Sequence, residues 1–344
     1  MSEEIQNNLF PEKNQEEKWQ KYAKTTRIIA LFALVLSILS YFCFFGVLCQ
    51  NALAPSPKKL YSYAVLSDIH MRSKDGNLTD GIVSDTEKGF NDSIADFNRA
   101  IERMNDLDVK FAFITGDVGY DSELDELVLY KNALQNSTIN YYPVRGNHDT
   151  KFADDTWALY TGVEENFEIV KGNDVFLGMS MYESGSASSS ADTPFDENAT
   201  WLLNKLDEHK GKRISVFMHL PFPGHAGLRD GEHYGFSASS AEDDALLNKM
   251  NEIGNVTCYS GHTHFEFSSE STYPNMNVYP TSNNVNLVHV PSCAYPRNAL
   301  KQEVQSKSQC YIVDVYENKT VLRAFDLVTG KYMKNYVYTI ENNV

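Results

Sequence analysis

Apolar and polar positions divide the chain into unequal parts. Residues 1–27 are polar and rich in Glu, Lys, Gln and Asn, whereas residues 28–49 carry no charge and only small or weakly polar interruptions. At 1.5 Å per residue, a helix of about 22 residues reaches roughly 33 Å, close to the hydrocarbon thickness of a bilayer. A buried core helix keeps a polar stripe, but this run is apolar all round, so the pattern predicts a membrane helix. Ala54-Pro55-Ser56-Pro57-Lys58-Lys59 follows as a stiff, charged linker. The expected segments are therefore 1–27, 28–49, a linker over 50–59, and a folded domain over 60–344.

From Leu60 the pattern becomes regular. Apolar strands are predicted at 61–67, 110–116, 139–146, 213–219 and 255–261, and helical periodicity at 86–106, 122–135, 201–210 and 243–253. This alternation predicts an α/β core with its strands in the middle. The last forty or so residues change character, with apolar and polar positions alternating around Glu317-Asn318 and Thr329-Gly330. They read as antiparallel hairpin strands completing a second sheet. Two irregular loops stand out, a Ser-rich one at 183–196 and one with many Gly, Pro and His at 221–239.

Charge refines this picture. Lys18, Lys21, Lys24 and Arg27 precede the apolar run and only Lys58 and Lys59 closely follow it, which places the amino terminus in the cytoplasm and the domain outside it. A cleaved signal peptide competes, because Ala52-Leu53-Ala54 has the small-x-small form; a long apolar run and Pro55 just after the cut favour an uncleaved anchor. The net charge of -16 belongs to the remainder, since residues 1–27 carry five acidic and five basic side chains. Such a surface disfavours nucleic acid and anionic lipid, but bound metal ions can still draw a small phosphorylated substrate. Cys258, Cys293 and Cys310 are too few for a disulfide scaffold and fit one bridge or three buried thiols. Six Asn-x-Ser/Thr sequences, beginning with Asn77 and Asn91, would accept glycans in a eukaryotic secretory pathway.

The chemistry lies where strands end. Asp68 and His70, two apart on extended chain, face one side. Asp117 follows Gly116, Asn147-His148-Asp149 follows Gly146, His219 ends a fourth strand, and His262 and His264 close a fifth. Open α/β sheets gather their ligands at such ends. Singly, each is more often a turn, a cap or a hydrogen-bonded structural residue. Their conjunction is another matter, because a specified tetrapeptide such as Gly146-Asn147-His148-Asp149 arises by chance in roughly one such chain in several hundred.

In this order, Asp-x-His, Gly-Asp, Gly-Asn-His-Asp, His and Gly-His-x-His resemble the calcineurin-like metallophosphoesterase family, over residues 61 to about 268. The resemblance implies an α/β (α+β) four-layer sandwich of two mixed β-sheets flanked by helices, here preceded by one N-terminal transmembrane helix. It also implies two metal ions at the sheet edges, one held by Asp68, His70 and His264, the other by Asn147, His219 and His262, with Asp117 bridging. Hard oxygen and borderline nitrogen donors without thiolate suit Fe, Mn, Zn or Co. Two such ions about 3.5 to 4 Å apart share a hydroxide and grip a phosphate for in-line attack on phosphorus. Lowering the pKa of water from about 15.7 to about 7 saves roughly 12 kcal/mol.

His148 falls outside the ligand set and, with Asn147, is expected to meet the substrate; it is the candidate general acid, and Asp149 is expected to orient its ring. Gly116-Asp117-Val118-Gly119-Tyr120 also fits the Gly-Asp-x-x-Tyr motif of purple acid phosphatases, whose tyrosine ligates ferric iron. Those enzymes lack the first-motif histidine, so Tyr120 is expected in a structural or substrate-contacting role. His225, Arg229 and His233 are candidates for the pocket mouth, with an exposed polar loop as the alternative, while Arg145 is expected to pair with an acidic neighbour. The leading function is hydrolysis of a phosphomonoester or phosphodiester. The alternatives are a non-catalytic binding or regulatory ectodomain on the same fold, and a two-metal peptidase or amidase.

Overall fold

The structure is a computed structural model and describes residues 11–53, 57–72, 90–181, 197–228, 241–304 and 306–342. Residues 86–89, the Ser-rich loop and the segment carrying Arg229 and His233 lie outside them. The chain forms two units, Met1–Pro57 and Lys58–Val344. The described residues of the first include one helix, α1 (Pro11–Leu53). Its stretch Gln15–Phe42 has the length and composition to cross a membrane, a test that a signal sequence also passes, and is wholly exposed.

The second unit places two six-stranded sheets face to face. Sheet one has the order β12-β11-β10-β1-β2-β3, with β1 (Lys59–Leu66), β2 (Phe111–Ile114), β3 (Asn140–Pro143), β10 (Gln309–Tyr316), β11 (Lys319–Asp326) and β12 (Lys331–Glu341). Sheet two runs β4-β5-β6-β7-β9-β8, from β4 (Phe167–Lys171), β5 (Asp174–Gly178), β6 (Arg213–Phe217), β7 (Val256–Ser260), β8 (Val278–Pro280) and β9 (Val285–His289). Helices α2 (Phe90–Asp106), α3 (Leu124–Leu134) and α4 (Asp154–Thr161) cover the first sheet, α5 (Glu197–Glu208) and α6 (Ala241–Ile253) the second.

Strand alternation builds the layers. In β1, Tyr61, Tyr63 and Val65 enter the core between the sheets, while Ala64 and Leu66 face the helices. The intersheet core is aromatic, with Phe113 stacked on Phe217 at 3.9 Å and Phe217 on Tyr259 at 5.1 Å. Of the parallel strands, β1, β2 and β3 in one sheet and β6 and β7 in the other carry the site at their carboxyl ends.

One expectation is corrected. The carboxy-terminal strands are antiparallel hairpins but extend the first sheet, because β10 pairs with β1. β1 is buried along most of its length, so its backbone groups need a partner on each edge. β2 satisfies one edge and the returning chain the other. Sheet two contains the expected strands β6 and β7, completed by segments the periodicity did not mark: the hairpin β4–β5 around Gly172-Asn173, and β8 and β9. Cys258, Cys293 and Cys310 are buried free thiols.

His225 is not at a pocket mouth. It is buried, as is His289 at the end of β9, and burial pushes their pKa values down to about 3 and about 4, the two rings also repelling each other's protons at His225. Both are neutral in the folded chain at pH 5, whereas an unfolded histidine titrates near 6.5. Their contribution to stability is therefore constant above about pH 6.5 and becomes unfavourable below it, by up to about 1.4 kcal/mol per pH unit for each histidine. Urea unfolding between pH 6.5 and 4.5 should show a slope in His225→Leu smaller by about one proton than in the wild type; equal slopes would mean that His225 is charged when folded.

Candidate metal centre

Each motif follows the end of a parallel strand, and the five ends converge where the two sheets meet. The ligand-type atoms fall into two groups. Asp68, His70, Asp117 and His264 form one, Asp117, His219 and His262 the other, with the atoms of each group within 4.8 Å of one another. His264 Nε2 stands 3.0 Å from Asp68 Oδ1 and 3.2 Å from His70 Nε2. Asn147 Oδ1 joins the second group, 3.0 Å from His219 Nε2 and 2.9 Å from His262 Nδ1. Asp117 Oδ2 faces both groups, 3.2 Å from His219 Nε2 and 3.6 Å from His70 Nε2, while its Oδ1 accepts the His148 amide at 2.9 Å.

This donor set fits a pair of cations. Imidazole nitrogens and carboxylate oxygens turn their acceptor faces toward common points, an arrangement that favours positive charge at each. His219 Nδ1 donates to the Thr115 carbonyl at 2.8 Å, which leaves Nε2 as the ligand-side atom. Burial favours neutral carboxyls, but neighbouring imidazoles outweigh it and hold Asp68 and Asp117 below the usual carboxylate range. Burial likewise pushes His219 down, and Asp117 and Asp68 together lift it to about 9.

Local backbone geometry aims these side chains. Asp68, His70, Asp117, His262 and His264 all have positive φ, between 42° and 69°. Side chains other than glycine adopt that region at an energy of about 1–3 kcal/mol each, so the surroundings must hold them there. Amides of one loop bond carbonyls of the next: Asp68 to Gly116 and His70 to Asp117, both at 3.0 Å. Two motif glycines allow the loops to close. A Cβ on Gly146 would lie 2.1 Å from Asp117 Oδ1, and one on Gly261 1.8 Å from Ser67 Oγ.

Asn147 and His148 are half-buried. Asp149 departs from expectation. Its carboxylate accepts the amides of Val118, Gly119 and Gly146 at 2.7–3.0 Å, fastening the Asp117 loop to the Asn147 loop instead of orienting His148. Burial and the charge of Asp117 raise its pKa to about 7 against the pull of those amides. The His148 ring is held elsewhere, with Nδ1 2.5 Å from the Tyr120 carbonyl, and Ser122 Oγ bonds the His148 carbonyl.

Other neighbours carried no motif. The Tyr295 ring stacks on His70 at 4.9 Å and meets His264 edge-on at 4.6 Å, on a segment held by Ser292 Oγ bonding the Asp68 carbonyl. Tyr120 lies 5.3 Å from His148, with the Arg72 guanidinium 3.5 Å above its ring. Arg145 pairs with Asp154 at 2.7 Å, as expected. A third cluster, Glu168, Glu208 and His209, is already served by the Lys205 ammonium, 2.6 and 2.8 Å from the two glutamates. Of the glycosylation sequences, Asn77 lies outside the described residues and Asn198 is buried and hydrogen-bonded to Glu165 and Ser180, whereas Asn136 and Asn318 stand exposed.

Gly146→Ala should drive a methyl into Asp117 and lower bound metal from two ions per chain to one or none, as read by elemental analysis. Full occupancy in that variant would show that the loops are not closed on each other.

The family model for calcineurin-like phosphoesterases matches residues 61–266. Among solved structures, the chain is similar to a dimetal phosphatase from Danio rerio, with TM-score 0.58 and 12% identity, covering 83% of this chain and 100% of that one. It is also similar to a purple acid phosphatase from yellow lupin (Lupinus luteus) seeds, with TM-score 0.53 and 13% identity, covering 83% of this chain and 55% of that one. At these identities the likeness is one of fold. No curated protein matches the chain. The family match takes in more than half of the sequence and all five motifs, and the chain belongs to the calcineurin-like phosphoesterase family.

Proposed function

We propose that this chain hydrolyses phosphoric esters at a two-metal centre. The observation that supports this most directly is the pair of ligand groups sharing Asp117. Asp68, His70 and His264 would hold one ion, Asn147, His219 and His262 the other, and Asp117 both. When bound, the ions supply Lewis acidity and a water-derived nucleophile at neutral pH for in-line attack on phosphorus. The remaining tasks fall to the chain itself. Asp149 keeps the Asp117 and Asn147 loops in register, so the ligand groups stay superimposed on a fixed geometry.

His148 protonates the leaving group. Its Nδ1–H is engaged by the Tyr120 carbonyl, which leaves Nε2–H of the imidazolium to be transferred. As the bond from phosphorus to the ester oxygen breaks, the electron pair stays on that oxygen and takes the Nε2 proton. The Tyr120 ring lies 5.3 Å from that of His148, Asn147 precedes it in the chain, and the substrate is a small phosphorylated molecule.

His148→Asn should retain both metals and lose about two to four powers of ten in turnover of esters with poor leaving groups. Comparing p-nitrophenyl phosphate with bis-p-nitrophenyl phosphate assigns monoesterase or diesterase activity. Loss of neither metal nor turnover would remove His148 from the mechanism, and a metal-free, inactive wild type would leave the fold as a binding module.

The same reading places residues 1–27 in the cytoplasm, 28–49 across the membrane, 50–59 as linker and 60–344 outside, supported by the basic residues ahead of the apolar run. Protease added to intact cells should digest the domain and spare the amino-terminal tail; a mature chain beginning at Pro55 would instead mean that the domain is released.

A further inference from the structure

Glu126 is fully buried although it belongs to the first turn of α3, a helix with exposed residues around it. Its Oε1 accepts the Asp121 amide at 3.0 Å, and Oε2 accepts the amides of Asp121 at 3.2 Å and Glu123 at 3.1 Å. A glutamate at the third helical position often reaches back to the amide of the capping residue, and the bond to Glu123 is of that kind. The bonds to Asp121, two residues farther out, have no part in capping. They grip a particular peptide group: the Asp121 N–H and the Tyr120 C=O belong to one planar unit. The Tyr120 oxygen is the atom that faces His148 Nδ1.

We propose that Glu126 is the positioning residue for His148 and acts on it through the single peptide joining Tyr120 to Asp121. The chain of bonds runs from the Glu126 carboxylate to the Asp121 N–H, across the planar amide to the Tyr120 oxygen, and on to His148 Nδ1–H. Because the amide is rigid, fixing its N–H end fixes the direction of its C=O end, and hence the plane of the imidazole. Because the amide is polarisable, an acceptor at N–H increases the negative charge on the oxygen and strengthens its hold on Nδ1–H. A carboxylate thus supports the acid, as the residues beside His148 suggested, but it is Glu126 at one peptide's remove, since Asp149 is spent on backbone amides. Ser122, bonded to the His148 carbonyl from the same segment, braces the other side.

This inference rests on His148 as general acid, and the test separates the two. The full-length chain, loaded with metal in detergent, would be assayed on paired p-nitrophenyl and benzyl esters of whichever series, monoester or diester, it turns over. The variants are Glu126→Gln, His148→Asn, both together, and Glu123→Ala as a capping control. Glu126→Gln should keep both ions, lower benzyl ester turnover about tenfold or more, and leave p-nitrophenyl ester turnover nearly unchanged. Added to His148→Asn it should have no further effect, and Glu123→Ala should lower the thermal midpoint without changing the ratio of the two rates. Equal losses on both esters, or a loss that adds to that of His148→Asn, would make Glu126 merely structural and overturn the proposal. An unchanged ratio in His148→Asn would instead overturn the assignment of His148, and this inference with it.

Discussion

Everything at the site depends on how closely five strand ends approach one another. Asp117, the residue shared by both ligand groups, lies where no atom can be added: a methyl on Gly146 would fall 2.1 Å from its carboxylate. At that separation one oxygen of Asp117 can face imidazoles from two sheets while the other takes the His148 amide. The three motif glycines each make room for a donor of another motif, Gly116 for His219, Gly146 for Asp117 and Gly261 for Asp68. The five motifs amount to mutual clearance as much as to a set of donors.

Such closeness has to be stabilised. Five residues of the two donor groups are held at positive φ, buried carboxylates and imidazoles crowd together, and the loops run against each other with little solvent. The compensation is a mesh of backbone bonds between loops, to which two carboxylates contribute without facing the centre. Asp149 fastens the Asp117 loop to the Asn147 loop, and Glu126 holds the turn that follows. The rigid intersheet core, with Phe113, Phe217 and Tyr259 in a stack, sets the distance between the strand ends from below. Preorganisation of this kind is what a two-metal site requires, because its ions must sit at a fixed spacing.

An acidic net charge is compatible with the proposed phosphorylated substrate, because metal ions in the centre would dominate the local field. Within the centre Asp68 and Asp117 remain ionised beside neighbouring imidazoles, so the positive charge that an anionic substrate would meet has to come from the proposed metal ions.

By itself, the sequence determined the elements that carry strong periodicity and the donors that carry chemistry. The strands ending at Asp68, Asp117, His219 and His262 fell where apolar runs met Gly, Asp or His, and the donors were readable because each motif is local in the chain. Tertiary structure decided which sheet the last three strands join, since β1 needed a second edge partner more than 240 residues away in sequence. It also placed His225 in the interior, brought Tyr295 onto His70, and turned Asp149 from the His148 ring to three amides. Short-range patterns report what a residue is able to do, whereas its hydrogen-bond partner is chosen by competition among groups that only the folded chain brings within reach. Asp149 had backbone amides nearer than an imidazole, and that left His148 to a peptide held by Glu126.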